Sequence, residues 1–297
     1  MFRIAANAAA NASFPKEGRL NYRHAFHAGN FADVVKHALL VAIVAYLKRK
    51  EKPFRVIDTH AGIGLYDLSS EEARRTGEHL AGIDALRASP AAEAAALAAY
   101  LDAVSVDGPG AYPGSPLIAR RLLRRQDRLS AYELHPVDAE RLAALFAGDV
   151  QVKTFALDGW LALGAHLPPK EKRGLVLIDP PFEAKDEIAS IAAGLAAAHR
   201  RWPGGIYAIW YPIKRAAERD RLHAALAATG IPDIVAAEFL REPPGAEDRL
   251  IGTGLAVVNP PFTFAQEAAA IMAILEQPLG KSGGASSRVV AIASERP

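Results

Sequence analysis

Short apolar runs rich in β-branched residues recur along the chain, and most are separated by longer segments with helical periodicity. Strands and helices that alternate in this way are typical of a mostly parallel sheet covered by helices on both faces, so the pattern predicts an α/β fold. The predicted strands are Phe54 to Asp58, Leu129 to Leu134, Val150 to Leu157, Leu175 to Asp179, Ile206 to Tyr211, Ile234 to Leu240 and Leu255 to Val258. The predicted helices include Phe31 to Lys48, Pro116 to Arg125, Asp138 to Phe146, Ile188 to Arg201 and Lys214 to Thr229.

Two connections interrupt this alternation. About seventy residues separate the first two strands, and the span 67–109 within them has helical periodicity without a strand. Because a crossover needs far fewer residues, we expect an inserted helical subdomain there, with residues 20–66 and 110–297 forming the main domain. The last two strands are joined only by Arg241 to Arg249, so the final strand is expected to run antiparallel to its predecessor.

The segment from Gly174 to Phe182 is an apolar strand that ends in Asp179, two prolines and an aromatic ring. The prolines make a stiff loop at the carboxyl end of the strand, where open α/β sheets bind ligands. An enzyme that uses the exocyclic amine of a nucleobase as nucleophile must accept hydrogen bonds from its N–H groups. Asp179 and the Pro180 carbonyl could accept them, and Phe182 could stack on the base. The alternative is a buried strand followed by a capped turn.

A similar motif, Asn259-Pro260-Pro261-Phe262, follows the last predicted strand. Both motifs would suit an amino-methyltransferase. Because the last strand is expected to be antiparallel, its end should lie at the edge of the sheet opposite the ligand. We therefore expect Asn259 to be structural and Asp179 to carry the chemistry.

Acidic residues end the first four predicted strands or directly follow them. Carboxylates at such positions bind ribose hydroxyls and adenine amines, and glycines after the first strand let the backbone approach a ligand. Each acid could instead cap the following helix. The whole set favours S-adenosylmethionine, because a nicotinamide site leaves the Asp-Pro-Pro-Phe motif unexplained. The residues concerned are Asp58, Gly62, Gly64, Glu133, Asp158, Gly159 and Asp179.

Composition limits the class of protein. With 297 residues and 51% hydrophobic content the chain can bury a large core, and its lack of cysteine excludes disulfides and thiolate chemistry and fits the cytoplasm. No apolar run of about eighteen residues predicts a membrane span, and residues 1–19 are expected to be a disordered extension. The net charge is only +2, but the basic residues are clustered and could bind phosphates, unless they are simply solvated surface. The clusters are Arg120, Arg121, Arg124, Arg125 and Arg128, then Lys170, Lys172 and Arg173, then Arg200 and Arg201.

A block from Tyr22 to Asn30 precedes the first predicted helix, which contains Asp33 and His37. Imidazoles are common metal ligands, so the histidines of this block and of the first glycine loop are candidates for a metal site. Since no carboxylate stands at a familiar ligand spacing, no metal is expected. The histidines concerned are His24, His27, His37 and His60.

Five motifs together resemble the ribosomal RNA large subunit methyltransferase J family over about residues 20–297. They are Tyr22-Arg23-His24-x-Phe26-His27-Ala28-Gly29-Asn30-x-Ala32-Asp33-Val34-x-Lys36-His37, Asp58-Thr59-His60-Ala61-Gly62-x-Gly64, Tyr112-Pro113-Gly114-Ser115-Pro116, Glu133-Leu134-His135-Pro136 and Ile178-Asp179-Pro180-Pro181. The resemblance implies a Rossmann-like S-adenosylmethionine-dependent methyltransferase fold. Its seven-stranded, mostly parallel sheet would have an antiparallel C-terminal strand and an inserted small helical subdomain. The implied activity is methylation of the N6 amine of one adenine in 23S rRNA, and no protein partner is implied.

The same resemblance implies roles for single residues. S-adenosylmethionine would be bound by His37, His60, Gly62, Ser115, Glu133, Asp158, Gly159 and Asp179. The reaction would depend on Asp179, Pro180 and Phe182, and the RNA would contact Tyr22, Arg23, His24, Phe182 and Lys185. The family also has tyrosine where this chain has Phe182, so any role of that hydroxyl is in doubt. Two alternatives remain, an adenine-N6 DNA methyltransferase and a non-catalytic RNA-binding protein on the same fold.

Overall fold

The computed structural model describes residues 24–184, 186–245, 249–281 and 284–294. Eight strands form one sheet: β1 (Arg55–Asp58), β4 (Arg128–Tyr132), β5 (Val152–Phe155), β6 (Gly174–Ile178), β7 (Ile206–Ile213), β8 (Ile234–Leu240), β9 (Gly252–Val258) and β10 (Ser286–Ala293). Two further strands, β2 (Leu65–Asp67) and β3 (Ala111–Pro113), form an antiparallel ribbon. The helices are α1 (Phe31–Lys48), α2 (Glu71–Thr76), α3 (Ile83–Arg87), α4 (Ala98–Ser105), α5 (Ser115–Leu122), α6 (Pro136–Leu145), α7 (Gly159–Ala165), α8 (Glu187–Arg201), α9 (Ala216–Ala228) and α10 (Phe264–Leu279).

The strand order across the sheet is β10-β8-β9-β7-β6-β1-β4-β5. Pairing is parallel from β7 through β6, β1 and β4 to β5, whereas β9 runs antiparallel between β7 and β8. The seven predicted strands and the antiparallel direction of β9 are therefore confirmed. The strand count is one higher than predicted, because β10 adds an eighth strand that is antiparallel to β8.

Helices cover both faces of the sheet. The first face packs on α1, α5 and α10, and the central α1 is almost entirely buried after its N-cap Asn30, whose side chain accepts a hydrogen bond from the Asp33 amide. The second face packs on α7, α8 and α9. Apolar side chains on both faces explain why the central strand β6 is buried at every position. Within the described residues, no helix is both long and apolar enough to span a bilayer.

Helices α2, α3 and α4 and several short 3-10 turns lie between β2 and β3. These strands flank the helical segment, so an antiparallel ribbon joins it to the rest of the chain. Ile83, Leu86, Tyr100 and Val104 are buried in the same hydrophobic cluster as α1 and α10. The helical segment is thus packed against the first face of the sheet.

The two proline motifs lie at opposite edges of the sheet. We call the edge at which β1, β4, β5 and β6 end the carboxyl edge, and the other the amino edge. Asp179 follows β6 at the carboxyl edge, whereas Asn259 follows the antiparallel β9, whose last residue Val258 pairs with Tyr207 near the start of β7. The side-chain amide of Asn259 donates from Nδ2 to the carbonyls of Pro203 and Gly205, both at 2.7 Å. Asn259 therefore lies at the edge of the sheet opposite Asp179, as expected from the direction of β9, and its purely structural role stays a prediction.

Candidate active site

A cavity of about 290 Å³ opens at the carboxyl edge. Its walls come from the N-terminal block, α1, the loops after β1, β4, β5 and β6, and the end of β7. The structure brings together in this cavity His24, His37, His60, Gly62, Ser115, Glu133, Asp158, Gly159, Asp179, Pro180 and Phe182. Tyr22, Arg23 and Lys185, which were also predicted to act here, and the expected extension 1–19 lie outside the described residues.

Asp179 forms a buried ion pair that the sequence pattern does not indicate. The Lys36 ammonium donates to Asp179 Oδ2 at 2.6 Å and also lies 2.9 Å from Asp33 Oδ1. Lys36 is 4% exposed and Asp179 is 13% exposed. Burial acts to lower the pKa of Lys36, but the two carboxylates outweigh burial and raise that pKa above its ordinary value. Lys36 is therefore charged, and one oxygen of Asp179 is already occupied.

Asp33 connects this ion pair to the N-terminal block. Its Oδ2 accepts from the Gly29 amide at 3.0 Å and lies 2.9 Å from His24 Nε2. Burial opposes ionisation of Asp33, but His24 and Lys36 together hold its pKa well below the usual range. A chain of polar contacts thus runs from His24 through Asp33 and Lys36 of α1 to Asp179.

Two aromatic rings stand beside Asp179. Phe182 has a positive φ of 54°, which turns the chain after the two prolines and directs the ring to Trp210 of β7. The two ring centroids are 5.8 Å apart in an edge-on arrangement. Lys36 Nζ lies 5.5 Å from the Trp210 ring centroid. Both rings line the cavity, so a planar base could be held there against an aromatic surface.

Glu133 organises the glycine loop after β1. One carboxylate oxygen accepts from the Gly62 amide at 2.8 Å, and the other accepts from the His135 amide at 2.8 Å. Gly62 has φ of +60°, and a Cβ there would lie 2.1 Å from the Tyr66 hydroxyl, so only glycine fits. Burial raises the pKa of Glu133. The acid after β4 therefore holds the loop and presents its remaining lone pairs to the cavity.

Asp58, at the end of β1, lies beneath the loop and is 1% exposed. Its Oδ2 accepts from the Ser115 hydroxyl at 2.6 Å, at the start of α5. Burial raises the pKa of Asp58 to about 7, and the hydrogen bond from Ser115 partly offsets this rise. Ser115 thus has one fixed partner and lines the cavity beside Gly114.

His37 lines the cavity and has one nitrogen without a hydrogen bond to any described residue. Its Nδ1 lies 2.8 Å from the Tyr112 hydroxyl, whereas its Nε2 is buried and makes no hydrogen bond within the described part of the chain. Burial lowers the pKa of His37 to about 3, so the ring is neutral at physiological pH. A buried polar atom without a partner is costly, so this position is suited to a polar ligand group.

Gly159 brings two ligand-binding loops into contact. A Cβ at this first residue of α7 would lie 1.8 Å from the Thr59 carbonyl oxygen. Asp158 caps the helix by accepting from the Trp160 amide at 3.0 Å. The loop after β5 therefore packs directly on the loop after β1.

These residues fit S-adenosylmethionine. The cavity offers acceptors for hydroxyl and amino groups at Glu133 and Asp158, a neutral imidazole with a free nitrogen at His37, and glycine backbone close to a ligand. Its polar groups line the carboxyl edge, where nucleotide-like ligands bind on doubly wound sheets.

The arginine-rich segment after Ser115 does not line the cavity. Arg120 pairs with Asp149, and Arg121 pairs with Asp107. The Arg124 guanidinium donates to Asp127 and to the carbonyls of Lys48, Lys50 and Lys52, which precede β1. These arginines therefore lie away from the cavity, toward the amino edge, and their contact with RNA stays a prediction. Lys214, directly after β7, lines the cavity.

Strand β9 runs antiparallel between β7 and β8, and acids and glycines surround the cavity at the carboxyl edge. These features define a Rossmann-like S-adenosylmethionine-dependent methyltransferase. The family model described as "Ribosomal RNA large subunit methyltransferase D, RlmJ" matches residues 51–292. The chain belongs to this ribosomal RNA large subunit methyltransferase J family.

Two relatives carry the name ribosomal RNA large subunit methyltransferase J. That of Escherichia coli strain K12 is 41% identical, and that of Haemophilus influenzae is 40% identical, each over 93% of this chain and 100% of the relative. A crystal structure of a Legionella pneumophila protein superposes with a TM-score of 0.81 at 33% identity, covering 89% of this chain and 98% of that one.

Proposed function

We propose that this protein transfers the methyl group of S-adenosylmethionine to the N6 amine of an adenine in 23S rRNA. The observation that carries the proposal is the position of Asp179 at the carboxyl edge. It lines the same cavity as the residues assigned to the cofactor and as the paired rings of Phe182 and Trp210. Since ribosomal RNA is the substrate, the enzyme would work in the cytoplasm.

The residues we assign to the cofactor all line the cavity. Glu133 would accept from the ribose hydroxyls, Asp158 from the adenine amine, and His37 Nε2 would contact the polar amino-acid portion. His60, Gly62, Ser115 and Gly159 would shape the walls around it. When bound there, S-adenosylmethionine supplies a methyl group on a positively charged sulfur.

Asp179 is proposed to orient the target amine. Because Lys36 occupies Oδ2, the other oxygen, Oδ1, and the Pro180 carbonyl would accept the two N–H groups of the adenine. Accepting both bonds directs the nitrogen lone pair out of the hydrogen-bonding plane and toward the cofactor side of the cavity. Such fixed geometry can supply several kcal/mol of the barrier reduction.

The chemistry of the amine determines when the proton leaves. A carboxylate cannot deprotonate a neutral aromatic amine, so the adenine would attack the methyl group while both of its N–H groups are still hydrogen-bonded. Once the nitrogen has been methylated it is positively charged and acidic, and Asp179 can then accept its proton. Asp179 therefore acts as an acceptor before it acts as a base.

Phe182 and Trp210 are proposed to hold the base after it leaves its RNA stack. A stacking contact of this kind is worth about 1–3 kcal/mol. Tyr22, Arg23, His24 and Lys185 would bind the surrounding RNA, and the inserted subdomain at 67–109 would form part of the substrate side, since its Glu78 reaches the cavity.

Mass mapping of 23S rRNA from a strain that lacks the gene tests the proposal. We expect one N6-methyladenosine to be missing and to return when the wild-type gene is supplied, but not when Asp179→Ala is supplied. An unchanged modification pattern in the deletion strain would contradict the proposal.

A further inference from the structure

The amino edge of the sheet carries a large excess of positive charge, although the chain as a whole is nearly neutral. Four segments meet there, 48–52, 124–128, 170–173 and 200–201, because β1, β4, β6 and β7 start side by side. Together they contain twelve lysines and arginines and three acids, whereas the net charge of the whole chain is +2. We call these four segments the basic rim.

The few acids of the basic rim do not neutralise its surface. Asp127 is fully buried under Arg124, and Glu171 is paired with Arg55. Glu51 alone among the three is exposed, 4.0 Å from Arg124. Lys50, Lys52, Arg125, Lys172 and Arg200 are exposed and have no ion pair within the described residues.

The basic rim is held in shape by two inward-facing guanidiniums. Arg124 donates to the carbonyls of Lys48, Lys50 and Lys52, and Arg173 donates to those of Leu47 and Lys52. Burial lowers the pKa of Arg173, and the charge of Arg124 lowers it further. Hydrogen bonds to the backbone thus keep the like charges of Arg124 and Arg173 close together. The exposed lysines and arginines of the basic rim lie on the same four segments.

An exposed aromatic ring lies among these charges. Phe262, from the second proline motif, is 86% exposed and shares a surface cavity with Arg49, Lys50 and Arg173. The prolines before it and the hydrogen bonds of Asn259 fix the loop that carries it. Unpaired nucleobases stack on exposed aromatic rings that have cationic side chains beside them.

We propose that the basic rim and Phe262 form a second RNA-binding surface, which contacts the substrate RNA away from the target nucleotide. The inference rests on the proposed function, because that function identifies the bound polyanion as RNA. The five residues of β6 separate this surface from Asp179 by about 16 Å. The lysines and arginines would bind phosphates, and Phe262 would stack on one unpaired base. A single ring offers too little apolar surface for insertion into a membrane, which favours RNA over anionic lipid.

The test compares two triple variants with the same change of charge. Lys50→Ser, Arg125→Ser and Lys172→Ser remove cations from the basic rim, and Arg141→Ser, Lys153→Ser and Arg221→Ser remove exposed cations elsewhere. For a long 23S rRNA fragment we expect the rim variant to raise KM at least tenfold with kcat nearly unchanged, and the control to stay within about twofold. A minimal hairpin that cannot span both surfaces should give equal KM values for both variants.

Direct RNA binding separates this inference from the proposed function. In filter binding, the slope of log Kd against log salt should fall by about 0.7–0.9 for each phosphate that the variant no longer neutralises, whether or not methylation occurs. Phe262→Leu should weaken binding, and Phe262→Tyr, which keeps the ring, should preserve it. Equal RNA binding by the rim and control variants would overturn the inference, and so would a rim variant that binds RNA normally but no longer binds anionic vesicles.

Discussion

The Lys36 ammonium lies 2.6 Å from Asp179 Oδ2 and 2.9 Å from Asp33 Oδ1, so one buried charge joins the first helix to the motif after β6. This link spans 143 positions of the sequence. It fixes the rotamer of Asp179, neutralises one of its oxygens and leaves the other for a substrate amine. The arrangement accounts for a carboxylate that is held in place by one oxygen and can orient a nucleophile with the other.

Removing Lys36 should destabilise the fold as well as the reaction. Lys36→Met leaves two buried carboxylates without a counter-charge, so we expect unfolding free energy to fall by about 3–5 kcal/mol in urea titrations. Lys36→Arg, which keeps the charge, should lose less. Adding Asp179→Asn to Lys36→Met should recover part of the loss, because it removes one unpaired charge. If the loss of unfolding free energy in the double variant equalled the sum of the losses in the two single variants, the ion pair would be contradicted.

Asp58 should make the stability of the ligand-free protein depend on pH. Its folded pKa of about 7 lies above the usual value near 3.9, so its contribution is complete below about pH 4 and is lost as pH rises toward 7. The shift corresponds to at most about 4 kcal/mol. We expect Asp58→Asn to flatten the decline of unfolding free energy across this window.

The comparison must be made against wild type at each pH, because other acids act in the opposite direction. Asp33 and Glu238 have lowered pKa values, so their contributions are lost as pH falls below about 4.5. Ser115→Ala removes a hydrogen bond that favours the ionised form of Asp58, so it should move the decline to higher pH. Parallel pH curves for wild type and Asp58→Asn would exclude this role.

Two glycines of α7 form a matched pair. Gly159→Ala places a Cβ 1.8 Å from the Thr59 carbonyl oxygen, whereas at Gly164 no described residue outside its own helical turn lies within 4 Å of the added Cβ. We expect Gly159→Ala to cost about 1–3 kcal/mol and to weaken S-adenosylmethionine binding in calorimetry, since the loop after β1 must shift. Gly164→Ala should be neutral or stabilise by up to about 1 kcal/mol. Similar effects of the two substitutions would refute the close approach of the loops.

Asn259 of the second proline motif should matter for stability and not for the chemical step of methyl transfer. Asn259→Ala loses two hydrogen bonds to backbone carbonyls, each worth about 1 kcal/mol, and its positive φ of 50° suits alanine less well. We expect the melting temperature to fall while kcat stays within about twofold of wild type. A loss of kcat comparable to that of Asp179 variants would show that the motifs had been assigned the wrong way round.

The repeating pattern of strands and helices was sufficient to predict the sheet and the edge at which the site lies. Parallel strands are buried on both faces and therefore appear as continuous apolar runs, and acids at their carboxyl ends must meet. The edge strand β10 was missed because only one side of it pairs, and its Ser-Ser-Arg start does not form an apolar run. The ribbon of β2 and β3 was missed because each strand has only three residues.

Within the site, the sequence pointed to residues that follow strands and missed those that reach it through packing. Lys36 lies on a helix whose apolar pattern suggests only burial, and Trp210 lies inside a strand. The edge at which the basic segments lie could not be predicted from the sequence for a related reason, because loops at the two edges of a sheet have similar composition. Only the sheet topology tells which loops stand beside Asp179 and which stand opposite.

The most direct measurement of the central claim is the analysis of 23S rRNA after incubation with purified protein and methyl-labelled S-adenosylmethionine, using wild type and Asp179→Asn. Asn keeps the size of the side chain but removes the charge, and we expect at least about a hundredfold lower kcat with cofactor affinity within a few-fold. The labelled product of the wild type should be N6-methyladenosine. Equal formation of N6-methyladenosine by both proteins, or label on a different atom of the RNA, would contradict the account.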